Sequence, residues 1–395
     1  MTARTPASRL ADAWLAEHSA ELVAVRRDLH AHPELGRQEH RTTALLVERL
    51  TGAGLSPKVL STGTGVVCDL GSGDGPIVML RADIDALPLE DEKPVAYRST
   101  VPGTCHACGH DLHTAAVLGA GLALASGAVQ GTVRLVFQPA EELMPGGALD
   151  VIADGWLEGV TAAYGLHCDP GLEVGHIGLK PGPITAASDA LEVVLSGPGG
   201  HTSRPQNTVD LVHALATVAT DLPQALSRLV DPRAGLCLVW GHVSAGVAGN
   251  AIPRSGTLKG TVRVLDKAAW DRAPELVQRL VDALVKPYGA SAEVRYARGV
   301  PPVVNDVAAT ALFTAAVRGS LGPGVAVPTL QSLGGEDFAW FLDRVPGSMA
   351  RLGVRPPGQD FSHDLHQGGF DVDEAALPFA VRALIAVALA ALSAT

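Results

Sequence analysis

The sequence is poor in basic residues, in cysteine and in charge overall, and each shortage excludes a class of protein. Its 30 lysines and arginines are outnumbered by 41 acidic residues, and the net charge of −11 leaves no basic surface for nucleic acid. Five cysteines in 395 residues do not indicate a disulfide framework, so we expect free thiols in a reducing compartment. With 47% hydrophobic and 18% charged residues, the composition excludes wholesale disorder.

The sequence also has no clear leader or membrane-spanning run. The N-terminal segment MTARTPASRLADAW lacks the apolar stretch of a signal peptide. The most apolar segment, AVRALIAVALAALSA near the C-terminus, contains Arg382 and is shorter than the roughly 20 residues of a membrane span. We therefore expect a cytoplasmic protein without membrane contact, whose last helix is buried.

Hydrophobic periodicity predicts two domains. Helical spacing over residues 10–53, broken at Pro33, precedes alternating strands and helices, which indicate an α/β sheet covered by helices. From about Ala187 the predicted order is strand, helix, two strands, helix and strand, the βαββαβ unit of ferredoxin-like folds. We predict a discontinuous α/β catalytic domain over 1–186 and 302–395, with an inserted ferredoxin-like dimerisation or lid domain over 187–301.

Thiol, imidazole and carboxylate side chains are concentrated in the segment CHACGHDLH, residues 105–113. Cys108, His110 and Asp111 lie at a predicted helix N-terminus, which favours the thiolate, the form of cysteine that binds metal. No second cysteine pair follows that would complete a structural zinc site. The segment therefore predicts metal ligands rather than a structural zinc knuckle or a redox pair.

Three further segments contain possible metal ligands, two just after predicted strands and one in a predicted loop. Glu141 and Glu142 follow the predicted strand TVRLVF, and His167 follows the strand TAAYGL. His366 lies in a segment rich in glycine and proline, for which we predict neither helix nor strand. Ligands bind beyond the carboxyl ends of strands in α/β sheets, and adjacent carboxylates are stabilised by a cation. This mixed donor set suits zinc, cobalt or manganese, and a base beside a ligand predicts a metal-dependent hydrolase.

Nine segments of the sequence, in their order, resemble those of one metallohydrolase family. They are RRDLHAHPELGRQEHRT, LRADIDALPLED, CHACGHDLHTA, FQPAEE, GLHCDP, GGHTSRP, GNAIP, GGEDFAWF and LHQGGFDVDEAAL. The chain resembles the aminoacylase, hippurate hydrolase and auxin-conjugate amidohydrolase branch of the zinc-metallopeptidase clan that includes carboxypeptidase G. The resemblance extends from about residue 25 to the end of the chain.

The resemblance implies a role for each candidate site residue. It implies two divalent metal ions per subunit, zinc or manganese with cobalt or nickel possible, held by five ligands: Cys108, His110, Glu142, His167 and His366. It also implies four roles outside the ligand set: Glu141 as general base, His201 as support for the oxyanion, often across a dimer, Asn250 in substrate binding, and Asp83 orienting a ligand imidazole.

The implied reaction is hydrolysis of an N-acyl amino acid, or a related amide, to a carboxylic acid and a free amino acid, catalysed by a homodimer. Two alternatives remain open: a dipeptidase or carboxypeptidase of the same fold, and a non-hydrolytic biosynthetic member. The sequence departs from the family pattern at Cys105, where an apolar residue is usual, but no implied catalytic position is lost. We expect Glu336 and Asp337 to support the site rather than bind metal.

Overall fold

The computed structural model describes residues 5–394, which divide into two compact units. The first contains the described residues up to Ile184, Val304–Gln331, and those from Asp337 onward; the second contains Thr185–Val303 and Ser332–Glu336. The segment Ser332–Glu336, which we assigned to the catalytic domain by sequence, is thus grouped with the second unit.

The first unit combines helices with a mixed sheet. Its helices are α1 (Pro6–Ala31), α2 (His40–Gly52), α3 (His110–Ala125), α4 (Ala148–Ala153), α7 (Val307–Leu321), α8 (Ala339–Leu342) and α9 (Ala376–Ala394). Its strands are β1 (Lys58–Val59), β2 (Val66–Gly71), β3 (Ile77–Asp83), β4 (Thr132–Gln138), β5 (Val160–Glu173), β6 (Ile177–Leu179), β7 (Gly182–Pro183), β14 (Val304–Asn305), β15 (Ala326–Pro328) and β16 (Gly347–Arg355).

The predicted break between the first two helices is confirmed. The Thr5 hydroxyl caps α1 by accepting a hydrogen bond from the Ser8 N–H at 3.1 Å, and Pro6 occupies the first turn, where its missing N–H costs nothing. The helix ends before Pro33, whose ring disfavours helical backbone in the preceding residue. Between Arg355 and Ala376 there is no helix or strand, as the glycine- and proline-rich sequence predicts.

The main sheet has eight strands in the order β1-β2-β4-β3-β5-β16-β6-β15. β3 is parallel to both β4 and β5, and β5 is parallel to β16, so their carboxyl ends lie at one edge of the sheet. Every residue of β4 is buried, which explains why its apolar residues do not alternate strictly with polar ones, as they would in a half-exposed strand.

The apolar C-terminal helix is a core helix of this unit. By length and composition α9 could cross a membrane, but 61% of its most apolar window is buried in the protein. It packs against α1, α3 and α7. The predicted burial of the last helix is therefore confirmed.

The second unit has the predicted ferredoxin-like order of elements. These are β8 (Ala187–Ser196), α5 (Leu211–Leu229), β10 (Cys237–Ala245), β12 (Ser255–Val264), α6 (Lys267–Val285) and β13 (Ser291–Val300), with the short strands β9 (Gly200–His201) and β11 (Ala251–Ile252) between them. The four long strands form an antiparallel sheet in the order β10-β12-β8-β13. Both helices pack on this sheet, and β10 and β13 are its edges.

Candidate metal centre

The register of the main sheet explains why distant segments meet. Asp83, the last residue of β3, pairs with Gln138, the last residue of β4, so the turn that carries Glu141 leaves the sheet beside the end of β3. On the other side of β3, Arg81 pairs with Gly165 of β5, which places His167 level with Asp83. The expected gathering of strand ends is thus present.

The N-terminus of α3 contributes Cys108 and His110 from either side of Gly109. Gly109 caps the helix with φ +85°, a conformation that glycine adopts without strain. A Cβ atom at this position would lie 2.6 Å from the Cys168 sulfur, so any side chain would clash. The sharp turn directs the Cys108 thiol towards His167, with 3.5 Å between Sγ and Nε2.

The structure brings together all five predicted ligands, which we call the ligand cluster: Cys108, His110, Glu142, His167 and His366. Cys108 belongs to two triads, one with His110 and His167, the other with Glu142 and His366. Within each triad the possible ligand atoms lie within 4.8 Å of one another. Glu142 Oε1 lies 3.3 Å from His366 Nε2 and 3.9 Å from His110 Nε2, which joins the two triads.

The hydrogen bonds of two histidines leave their outer nitrogens free to bind a metal. His110 donates from Nδ1 to the Asp85 carbonyl at 2.9 Å, and His167 donates from Nδ1 to the Cys168 carbonyl at 2.8 Å. In the neutral form of each imidazole, Nε2 therefore carries the lone pair that can bind a metal. Within residues 5–394, His110 Nε2 and Glu142 Oε1 are buried without a hydrogen-bond partner, a costly arrangement that a cation would relieve. The donor set thus fits a transition-metal ion.

The electrostatics of the cluster also favour a cation. Burial alone would lower the pKa of His110, but the Asp83 carboxylate and the Cys108 sulfur raise it well above the usual range. The nearby Cys108 sulfur and Glu142 carboxylate raise the pKa of His366 to about 10. His167 differs, since burial and the positive charge of Arg351 lower its pKa.

Two residues that the sequence analysis missed, Glu39 and Asp85, hold the turn around Glu141. Ala140 adopts φ +55°, unusual for alanine, and donates its N–H to the buried Glu39 carboxylate at 2.7 Å. The Glu142 N–H donates to Asp85 Oδ2 at 2.9 Å. The side chain of Glu141 is 6% exposed, with Oε2 4.0 Å from His110 Nε2. The fixed turn therefore keeps Glu141 beside the ligand cluster.

Asp83 lies closer to His113 than to His110, the predicted ligand next to it. Its Oδ1 accepts from His113 Nδ1 at 2.6 Å, whereas Oδ2 lies 3.6 Å from His110 Nε2. His113 Nε2 in turn accepts the Cys168 N–H at 2.8 Å. The carboxylate thus reaches the strand that carries His167 through His113.

A buried arginine connects Asp83 to the motif GGEDF. Arg81 makes ion pairs of 2.7 Å with Asp83 and with Asp337. Asp337 also accepts from Gln138 at 2.6 Å and from the Ala148 N–H at 3.0 Å. Its contacts are those of the supporting residue that we expected.

His201 and Asn250 lie together in the second unit. His201 of β9 pairs with Ala251 of β11, and the Thr202 N–H donates to the Asn250 carbonyl at 3.3 Å. Both side chains are exposed.

Comparison with known proteins identifies the family. The match to peptidase family M20/M25/M40 covers residues 79–390, which include all five residues of the ligand cluster and Glu141. The chain belongs to this M20 family.

Relatives of this M20 chain match most of its length. It is 38% identical over 361 residues to N-acetyl-L-cysteine deacetylase of Bacillus subtilis, covering 90% of this chain and 85% of that protein. A solved Bacillus subtilis structure described as a dinuclear metal-binding peptidase of the M20 family has a TM-score of 0.84 and 33% identity, covering 96% of this chain and 100% of the other.

A third match is longer than this M20 chain. A Rhodococcus jostii protein provisionally named glutamate–cysteine ligase 2-3 is 47% identical over 367 residues, covering 93% of this chain. The chain spans only 46% of that protein's length, so the ligase name describes a larger molecule. Together with the family match, the comparisons confirm the predicted family, fold and class of metal-dependent hydrolase.

Proposed function

We propose that the protein hydrolyses the amide bond of N-acyl amino acids, or of related amide conjugates, to a carboxylic acid and a free amino acid. One observation carries the proposal: Cys108 is shared by two donor triads beside the buried carboxylate of Glu141. The similarity to a deacetylase of an N-acetylated amino acid supports this substrate class over dipeptides.

The ligand cluster is our proposed site for two divalent ions, zinc or manganese, with cobalt or nickel as alternatives. Thiolate, imidazole and carboxylate donors suit these metals better than calcium or magnesium. When bound, the ions supply Lewis-acid polarisation of the amide carbonyl and stabilise negative charge on its oxygen. Support comes from the similar structure described as binding two metal ions.

The side chains provide proton transfer and positioning. The Glu141 carboxylate accepts a proton from the attacking water and then gives it to the leaving amine nitrogen. The Glu39 and Asp85 hydrogen bonds hold the backbone on both sides of Glu141, which fixes the position of this base. In the proposal, His201 donates a hydrogen bond to the developing oxyanion and Asn250 contacts the substrate.

The test is release of free amine from a panel of N-acyl amino acids and dipeptides, with added zinc or manganese and with a chelator. We expect metal-dependent release from N-acyl amino acids. Release from dipeptides alone would assign a peptidase instead. No release from any substrate, with metal bound, would favour the non-hydrolytic alternative.

Substitution of Glu141 distinguishes its role as a general base from a role as a metal ligand. Glu141→Gln keeps the size of the side chain but removes its basicity, so turnover should fall by roughly 10²- to 10⁴-fold. The metal content, measured by plasma mass spectrometry, should stay at the wild-type value. If the variant loses metal, Glu141 is a ligand and the assignment of the base fails.

We also propose a cytoplasmic homodimer that forms through the second unit. β10 is an edge strand of its sheet, and Val239 and Val243 on this strand are 57% and 67% exposed. Open edges with apolar side chains favour pairing with another strand. Val243→Lys should therefore shift the mass measured by light scattering to that of a monomer, whereas Val212→Lys on α5 is the control.

Activity of mixed variants tests whether His201 acts on the partner's site. His201→Ala and Glu141→Gln homodimers should each be impaired. Mixed and allowed to exchange subunits, they should regain activity, because one site of the heterodimer then has both residues intact. No recovery, despite heterodimer formation, would contradict action across the dimer.

A further inference from the structure

One of the four buried arginines in the described part of the chain has no carboxylate partner. Arg351 is only 7% exposed, and its guanidinium makes no hydrogen bond or ion pair within residues 5–394, although its nitrogens keep some contact with solvent. The other three each pair with a carboxylate at 2.7 Å: Arg26 with Asp111, Arg81 with Asp337, and Arg134 with Asp69. Arg351 is therefore the exception, a largely buried guanidinium without a protein partner whose nitrogens a ligand could still reach.

Arg351 lies beside the ligand cluster. On β16 it is the register partner of His167 on the parallel strand β5, so the two side chains project from the same face of the sheet. Its neighbours Ala350 and Leu352 belong to the hydrophobic core on the opposite face. On its other side Arg351 pairs with Gly178 of β6, whose side-chain position is filled by Thr329 and Leu172.

The guanidinium of Arg351 determines which chemical group would pair with it. A guanidinium offers parallel N–H groups that match the two oxygens of a carboxylate, and this pairing is strongest away from water. The substrates of the proposed function carry such a group. Resting on that function, we infer that Arg351 binds a carboxylate of the substrate next to the metal centre and thereby selects anionic substrates.

Two parts of a substrate could supply this carboxylate. One is the α-carboxylate of the amino acid, and the other is a second carboxylate on a dicarboxylic acyl group. Matched substrates separate them: an N-acetyl amino acid against its carboxamide, and an N-succinyl amino acid amide against the N-butanoyl analogue. In each pair only one carboxylate is removed.

Arg351→Met is the principal variant, with Arg351→Lys as the conservative one. Loss of a charged hydrogen-bond pair should raise KM for the carboxylate-bearing member of one pair by about 10- to 100-fold, with kcat changed less. The analogue without that carboxylate should be turned over as by the wild type, and Arg351→Lys should recover part of the loss. Arg355→Met, on the same strand but paired with Glu173, is the control and should leave KM unchanged.

Stability provides a readout that is independent of turnover. Because Arg351→Met leaves no protein carboxylate behind, its Tm should equal or exceed that of the wild type. Millimolar acetate or succinate should raise the Tm of the wild type and not that of the variant. The Tm measurement with carboxylates does not depend on hydrolysis of N-acyl amino acids. It therefore distinguishes failure of this inference from failure of the proposed function.

Three results would overturn the inference. The first is an equal loss of kcat/KM for substrates with and without a carboxylate. The second is a loss of metal from Arg351→Met, which would show that Arg351 acts through His167. The third is equal stabilisation of both proteins by the carboxylates.

Discussion

Two clusters of the first unit contain the same types of side chain but balance their charges differently. The ligand cluster combines cysteine, histidine and glutamate around Cys108. A second cluster, which we call the ionic network, combines Arg26, His30, Asp91, Lys93, Cys105 and Asp111. In both, a cysteine, a histidine and a carboxylate approach within 4.8 Å, as metal ligands do.

The difference lies in the cations that the protein itself supplies. In the ionic network, Lys93 Nζ lies 2.9 Å from Asp91 and 3.5 Å from the Cys105 sulfur, where a metal would otherwise be needed. In the ligand cluster, no lysine or arginine pairs with Glu142 among the described residues. Ligand-type residues at ligand distances therefore indicate a metal site only where no protein cation already balances them.

Removal of the arginine from the ionic network should have the largest effect on stability. Arg26 is 1% exposed and makes ion pairs of 2.7 Å with both Asp111 and Asp371. Arg26→Met removes the guanidinium from both carboxylates and leaves His30 beside Asp111, so the free energy of unfolding should fall by about 3–5 kcal/mol. Urea denaturation measures this change.

The control for this experiment is a half-exposed ion pair. Arg382 pairs with Asp12 at 2.9 Å, and both side chains are more than a quarter exposed. Arg382→Met should cost less than about 1 kcal/mol, because solvent screens the pair. Equal losses in the two variants would show that the ionic network is not held by its buried charges.

Two cysteine substitutions compare the clusters directly. Cys108→Ser removes the sulfur common to both triads, and the affinity for zinc should fall by more than about 100-fold, beyond the effect of losing a supporting residue. Cys105→Ser should retain the wild-type metal content, since Lys93 remains to balance Asp91. Titration of the metal-free proteins measures both. Loss of metal from Cys105→Ser would mean that the ionic network binds metal as well.

The elements of the fold were predictable because their periodicities are local. The βαββαβ order of the second unit and the break at Pro33 follow from spacing and from the chemistry of proline. The end of β5 was not predicted, since the strand runs on to Glu173 through His167 and Asp169, polar residues that interrupt its apolar pattern. These residues are ordered by pairing with β16, which is remote in sequence.

Only part of the candidate site was predicted, because a sequence shows local motifs but not long-range contacts. The predicted ligands occur in short motifs that a sequence displays. Glu39 supports Ala140 from 101 residues away, and no local pattern shows that contact. The strand that carries Arg351 was not predicted, and the lack of a partner for this arginine is a property of everything packed around it. Long-range hydrogen bonds and missing partners therefore require the structure.

The smallest effect that we predict is the alkaline loss of stability from His30. Burial alone would lower the pKa of His30, but the charge of Asp111 and hydrogen bonds to Asp111 and Asp91 raise it to about 10, against 6.5 in the unfolded chain. The folded protein therefore holds a proton that the unfolded chain releases between these values. This stabilisation is complete below pH 6.5 and is lost as the pH rises towards 10.

The slope of stability against pH measures this contribution. We compare the slope of the free energy of unfolding against pH between pH 7 and 9.5. The slope of the wild type should be more negative than that of His30→Gln by about 1 kcal/mol per pH unit. The glutamine can still donate a hydrogen bond but cannot titrate, so the difference in slope isolates the imidazolium. Parallel slopes would show that His30 is neutral and that Arg26 and Lys93 alone balance the ionic network, which would bring the two clusters closer in character.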